Sequence, residues 1–92
     1  MVAREDILKA LLARGIEQGL FLRDVPIDPH ADLIEAGQVD SMGLVQLQAL
    51  VEESFGVVVP VAVFVAELRT IARVAAYLES EIRAGRGRFA AD

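Results

Sequence analysis

The sequence predicts an all-α fold, a small four-helix bundle of three long helices and one short one, with a long loop between helices one and two. Apolar residues recur at three-and-four spacing in three segments, and residues that favour helix starts and stops bound them. The one β-branched run, Val57-Val58-Val59, is closed by Pro60 and has no second strand to pair with, so it reads as an extended linker.

Helix one is expected from Arg4 to about Gly19, with Ile7, Leu8, Leu11, Leu12 and Ile16 forming one buried stripe. The next segment, to Val39, holds Pro26, Pro29, Asp28, Asp32, His30 and Gly37, which break helices or favour turns. It also holds Leu20, Phe21, Val25, Ile27, Leu33 and Ile34, which are costly to leave in water, so this long loop is expected to fold back over the bundle. Helix two opens at Asp40-Ser41 and stops at Gly56, a natural left-handed C-terminal cap. A short helix follows from Val61 to Glu67, and Thr70 caps a final helix carrying Ile71, Val74, Ala75, Leu78 and Ile82. Residues 1–83 are thus expected to form one domain. Residues 84–92, where glycine alternates with arginine, are expected to be a flexible tail.

With 92 residues the chain supports one core and leaves little room for a deep catalytic cleft. It has no cysteine, which excludes a disulfide framework, a cysteine nucleophile and cysteine-based zinc sites. A formal charge of −5 argues against nucleic acid or an anionic membrane as the main partner and favours a protein with a basic docking face. The uncharged stretch Ser54 to Ala66 is too short to span a bilayer. The acidic start of the chain is unlike a secretory signal, so a cytoplasmic monomer is expected.

Helix two carries two apolar stripes where one would suffice. Leu44, Leu47, Val51 and Phe55 share a face and anchor it in the core, whereas Met42, Val45 and Ala49 follow a second line continued by Glu52 and Glu53. Either both stripes are buried or the second is a docking face. Asp40 or Ser41 is the N-cap. Ser41 alternatively offers its hydroxyl to a phosphoryl-linked group at the positive end of the helix.

The run Asp32-Leu33-Ile34-Glu35-Ala36-Gly37-Gln38-Val39-Asp40-Ser41-Met42, followed by Leu47, Glu52-Glu53 and Phe55-Gly56-Val57, resembles the phosphopantetheine attachment region of acyl carrier proteins. Thr70-Ile71 through Ala76-Tyr77-Leu78 resembles the final helix of that family, and the order of parts matches from about helix one to residue 82. An Asp-Ser pair alone would be weak, but the ordered set is specific. The resemblance implies a four-helix carrier of the discrete type in which Ser41 is esterified by 4′-phosphopantetheine from coenzyme A. A separate magnesium-dependent phosphopantetheinyl transferase would act on it, with Asp40 assisting recognition. It also implies that Met42, Val45, Ala49, Glu52 and Glu53 dock partners: a loading ligase or acyltransferase and a downstream synthase or transferase.

Met42 stands where leucine is usual, Gly43 where an acidic residue is common, and Gln46 and Gln48 where carboxylates are common, so the docking face is less acidic than in the housekeeping fatty-acid type. A dedicated natural-product or aminoacyl pathway is the expectation, and D-alanyl, polyketide and peptidyl carriers resemble the chain equally. Gly43 costs helix stability, up to about 1 kcal/mol against alanine in a helix interior, unless a tight approach by the arm or a partner compensates.

Two rival classes remain. One is a carrier-fold binding module without an arm, in which Ser41 only caps. The other is a small enzyme, disfavoured because the single histidine, His30, lies in the loop without a triad or metal partner. Ser41 likewise has no local general base, so its activation would come from another protein. No catalytic residue and no metal ligand is assigned.

Overall fold

In the computed structural model, which describes residues 3–89, helices form where apolar periodicity and caps coincide. They are α1 (Arg4–Glu17), α2 (Ser41–Phe55), α3 (Val61–Ala66) and α4 (Ile71–Arg83), and no strand forms among the described residues. The fold is the all-α four-helix bundle that the sequence predicts. α1 packs chiefly on α4 and also touches α2, which in turn touches α3. The core is built around Phe55 and Phe64, both fully buried, with Ile7, Leu11, Leu47, Val51, Ile71 and Leu78 around them.

Each helix end has a local cause. Thr70 accepts a hydrogen bond from the Arg73 N–H at 3.1 Å and starts α4. Gly56, at φ 68°, ends α2 in the left-handed region, where a side chain would be strained. The linker beyond it alternates as extended chain does, with Val57 and Val59 buried and Val58 exposed. Gln48 of α2 donates from Nε2 to the Val59 carbonyl at 2.9 Å and ties the linker down. The nearly buried Glu79 carboxylate takes Arg4 at 3.0 Å and Arg83 at 3.5 Å, joining α1 to α4.

The loop between α1 and α2 folds onto the core through Leu20 and Leu33, as expected. Its inner half is pinned by Asp32, whose side chain accepts the Ile34 and Glu35 N–H groups and pairs with Arg69 at 2.6 Å. Backbone bonds from Leu33 to the Arg69 carbonyl and from Ala72 to the Pro29 carbonyl fasten the same stretch to the α3–α4 junction.

Three details differ from the sequence reading. Ile16, expected in the buried stripe, is 67% exposed, because Ile7 and Leu11 are continued by Gly15, onto which the Phe21 ring folds. Val25, expected to be covered, is 46% exposed. Within residues 84–89 the expected free tail instead returns to α2. The Arg88 N–H donates to the Phe55 carbonyl at 2.7 Å, and the Phe89 ring stacks on Phe55 with centroids 5.6 Å apart. An apolar aromatic placed after the glycines supplies that anchor. Residues 90–92 of the tail lie outside the described residues.

Phe89→Ala is expected to lower stability by about 1–2 kcal/mol, from the lost stack and half-buried ring, and the melting temperature by about 5–10 °C. Thermal denaturation followed by circular dichroism measures this, and an unchanged melting temperature would return the segment to a free tail. The Arg69 guanidinium, then the Glu35 N–H, holds the Asp32 carboxyl below its usual value of 3.8. Its contribution to stability is therefore full above the unfolded value and is lost as pH falls through the lower folded one. Asp32→Asn should melt below the wild type at about pH 7, with the difference narrowing as pH falls below 3.8 and through the lowered folded value.

Candidate functional site

The site begins with a carboxylate. Asp40 has extended backbone geometry and its Oδ1 accepts the Gly43 N–H at 2.8 Å, so Asp40, not Ser41, is the N-cap of α2. Ser41 is the first helical residue and is exposed, with its hydroxyl relieved of the capping role. A negatively charged group attached there would sit at the positive end of the helix macrodipole, although beside the Asp40 carboxylate.

Gly43 is buried at this start. A Cβ there would lie 2.9 Å from Val39 Cβ and 3.3 Å from Val39 Cγ1, closer than side chains pack. A close approach at this glycine comes from the chain's own Val39. It lets the loop run tightly over the first turn of α2 and delivers Asp40 to its cap. Upstream, the Gln38 carbonyl accepts the Leu22 N–H at 2.8 Å and its side chain accepts the Arg23 N–H at 3.1 Å, so both halves of the loop converge just before Ser41.

The two stripes of α2 separate cleanly. Leu44, Leu47, Val51 and Phe55 are buried, whereas Met42 is 70% and Val45 52% exposed, and Ala49, Glu52 and Glu53 are exposed as well. At about 100° per residue, Met42, Val45, Ala49, Glu52 and Glu53 fall within an arc of about 100° opposite the core, with Ser41 at its edge. The alternative that both stripes are buried is excluded. Val58 on the linker and Val65 on α3, which the sequence reading did not single out, are also exposed large apolar residues. Alternation along the Val57–Val59 run was the available signal for Val58.

A family model described as "Phosphopantetheine attachment site" matches residues 8–78. The chain belongs to this phosphopantetheine-dependent carrier family. Among curated proteins, a D-alanyl carrier protein of Streptococcus suis (strain 98HAH33) is 41% identical over 59 residues, covering 64% of this chain and 72% of the relative. A second D-alanyl carrier protein, of Streptococcus suis (strain 05ZYH33), is 39% identical over the same length and coverage. No solved structure matches. Proteins of the carrier family work with modifying transferases and ligases, and their cofactor is covalently attached 4′-phosphopantetheine. When bound, the group supplies a terminal thiol that holds an acyl group as a thioester. An exposed serine hydroxyl at a capped helix start fits such a group, since the fold does not need that hydroxyl.

Around this site His30 is exposed in the loop and its N–H donates to Asp28. Among the described residues no helix is long and apolar enough to cross a membrane. Gly43→Ala is expected to destabilise the carrier by about 1–2 kcal/mol, because overpacking against Val39 outweighs the propensity gain. Urea denaturation should show a lower midpoint at unchanged slope. A higher midpoint would mean that Val39 yields freely.

Proposed function

We propose that this chain is a non-catalytic carrier in which Ser41 bears the phosphopantetheine arm and a small aminoacyl or acyl group rides on its thiol. The observation that carries this reading is the division of labour at the start of α2: Asp40 caps, and Ser41 is left exposed. In the loading step the Ser41 Oγ would attack the β-phosphorus of coenzyme A. The phosphoanhydride bond breaks, 3′,5′-ADP leaves and the hydroxyl proton passes to a base on a separate transferase. Nothing adjacent in the chain activates Ser41, and Asp40 is committed to its cap, so the transferase must supply activation. The Asp40 carboxylate remains exposed enough to serve in recognition by that enzyme and its magnesium ion.

The exposed arc of α2 serves as the docking face. Met42, Val45 and Ala49 give an apolar centre near the attachment point, and Glu52 and Glu53 give a charged end. A small face of this kind suits brief encounters, which a carrier needs because it must leave each enzyme after its turn. Tethering keeps the cargo at high effective concentration before successive active sites. The likeness to D-alanyl carrier proteins favours an aminoacyl cargo, loaded by an adenylating ligase in a dedicated pathway.

The test is intact mass after incubation with coenzyme A, magnesium and a broad-specificity transferase. A gain of one phosphopantetheine is expected in the wild type and none in Ser41→Ala. That variant should keep its helical circular dichroism and lie within about 0.5 kcal/mol of wild-type stability, because an exposed non-capping side chain is removed. A gain that persists in Ser41→Ala would move the attachment elsewhere.

A further inference from the structure

Among the described residues two polar side chains are buried, Gln38 and Glu79. Glu79 joins α1 to α4 through Arg4 and Arg83, a task of the fold. Gln38, 4% exposed and three residues before Ser41, has a different one. Its Oε1 accepts the Arg23 N–H at 3.1 Å, and its carbonyl accepts the Leu22 N–H at 2.8 Å. Its own N–H donates to the Leu33 carbonyl at 2.9 Å. One residue thus takes two consecutive backbone donors from the first half of the loop while the second half holds it in place.

The core does not ask for this side chain. A buried amide must be hydrogen-bonded to offset its lost hydration, whereas a methionine of similar length would pack at this place without that requirement. The backbone bonds from Leu22 and to Leu33 would survive such a replacement. What glutamine alone adds is the bond from the Arg23 N–H, beside which Arg23 Nη1 donates to the Ala36 carbonyl at 3.1 Å. Together these contacts fasten Leu22 and Arg23, both exposed or half-exposed, next to the segment that enters α2.

We propose that Gln38 is a positioning residue for the loading of Ser41, and that it fixes Leu22 and Arg23 as part of the surface on which the transferase closes. The inference rests on Ser41 as the point of attachment. Reach supports it. At most about 11 Å of chain separates Gln38 from Ser41, and Leu22 is one hydrogen bond beyond. An enzyme that covers a patch of standard size on the carrier, about 800 Å², extends about 16 Å in each direction from Ser41, which takes in both residues. Ser41 itself is presented by the Asp40 cap and by the contact of Val39 with Gly43, neither of which uses the Gln38 side chain. Loss of that side chain's bond therefore loosens the surface met in the encounter and leaves the reacting hydroxyl in place, so that KM for the carrier rises and kcat holds.

The test is steady-state loading of the full chain by a broad-specificity transferase with coenzyme A and magnesium, at a temperature where circular dichroism shows every variant folded. Gln38→Met keeps the length and drops the oxygen; Gln38→Glu keeps an oxygen acceptor. Gln38→Met should raise KM for the carrier by about threefold or more at unchanged kcat, and speed amide hydrogen exchange at Arg23 by about tenfold. Gln38→Glu should recover at least about half of the lost kcat/KM. A wild-type KM in Gln38→Met despite faster exchange at Arg23 would make the residue a holder of the loop alone and overturn the proposal. A fall in kcat at unchanged KM, unchanged exchange at Arg23, or a Gln38→Glu variant no better than Gln38→Met would overturn it too. Intact mass of the wild type separates this from the reading beneath it: no gain removes the attachment at Ser41 and this role with it, whereas a gain with unaltered variant kinetics removes only the role of Gln38.

Discussion

The hydrogen bond from the Gly43 N–H to the Asp40 carboxylate is the constraint around which the functional end of the molecule is arranged. A helix start leaves backbone N–H groups without partners, and one short side chain must meet them. Because Asp40 does so, Ser41 keeps an exposed hydroxyl. Because Gly43 has no side chain, Val39 packs against the first turn and fixes the direction from which the loop arrives. Replacing any of the three would change what the other two can do, so the short run from Val39 to Gly43 combines tight packing with an accessible serine.

The rest of the loop supports that arrival. Asp32 spends both carboxylate oxygens on local N–H groups and on Arg69, while Leu33 inserts into the core between them. A loop of this length pays a large conformational-entropy cost when ordered. Here the cost is offset by buried leucines and by bonds to the α3–α4 junction, which bring the later half of the chain to bear on the loop that leads into α2.

Much of this was legible in the sequence, because helices announce themselves locally. The stripes of α1, α2 and α4, the left-handed stop at Gly56 and the Thr70 cap involve residues only a few positions apart, where periodicity speaks directly. The two-stripe pattern of α2 could not be resolved by periodicity, since burial of the second stripe depends on what the other helices cover. The Asp32–Arg69 pair spans 37 positions and has no local signature. Ile16 misled because the buried line of α1 runs through Ile7, Leu11 and Gly15, where the Phe21 ring folds, and Ile16 lies about 100° further around the helix. The segment after α4 misled because glycine and arginine mask an aromatic anchor whose partner lies on α2.

That anchor has a consequence for how this carrier could be joined to other proteins. Phe89 rests on Phe55 at the last turn of α2, whereas Ser41 is at the first, about 21 Å away at 1.5 Å per residue. A tag, linker or neighbouring module appended beyond the strap would depart from the pole of α2 remote from the serine. Fusion at that end would leave the first turn of α2 open, and a surface immobilised through it would present Ser41 outward.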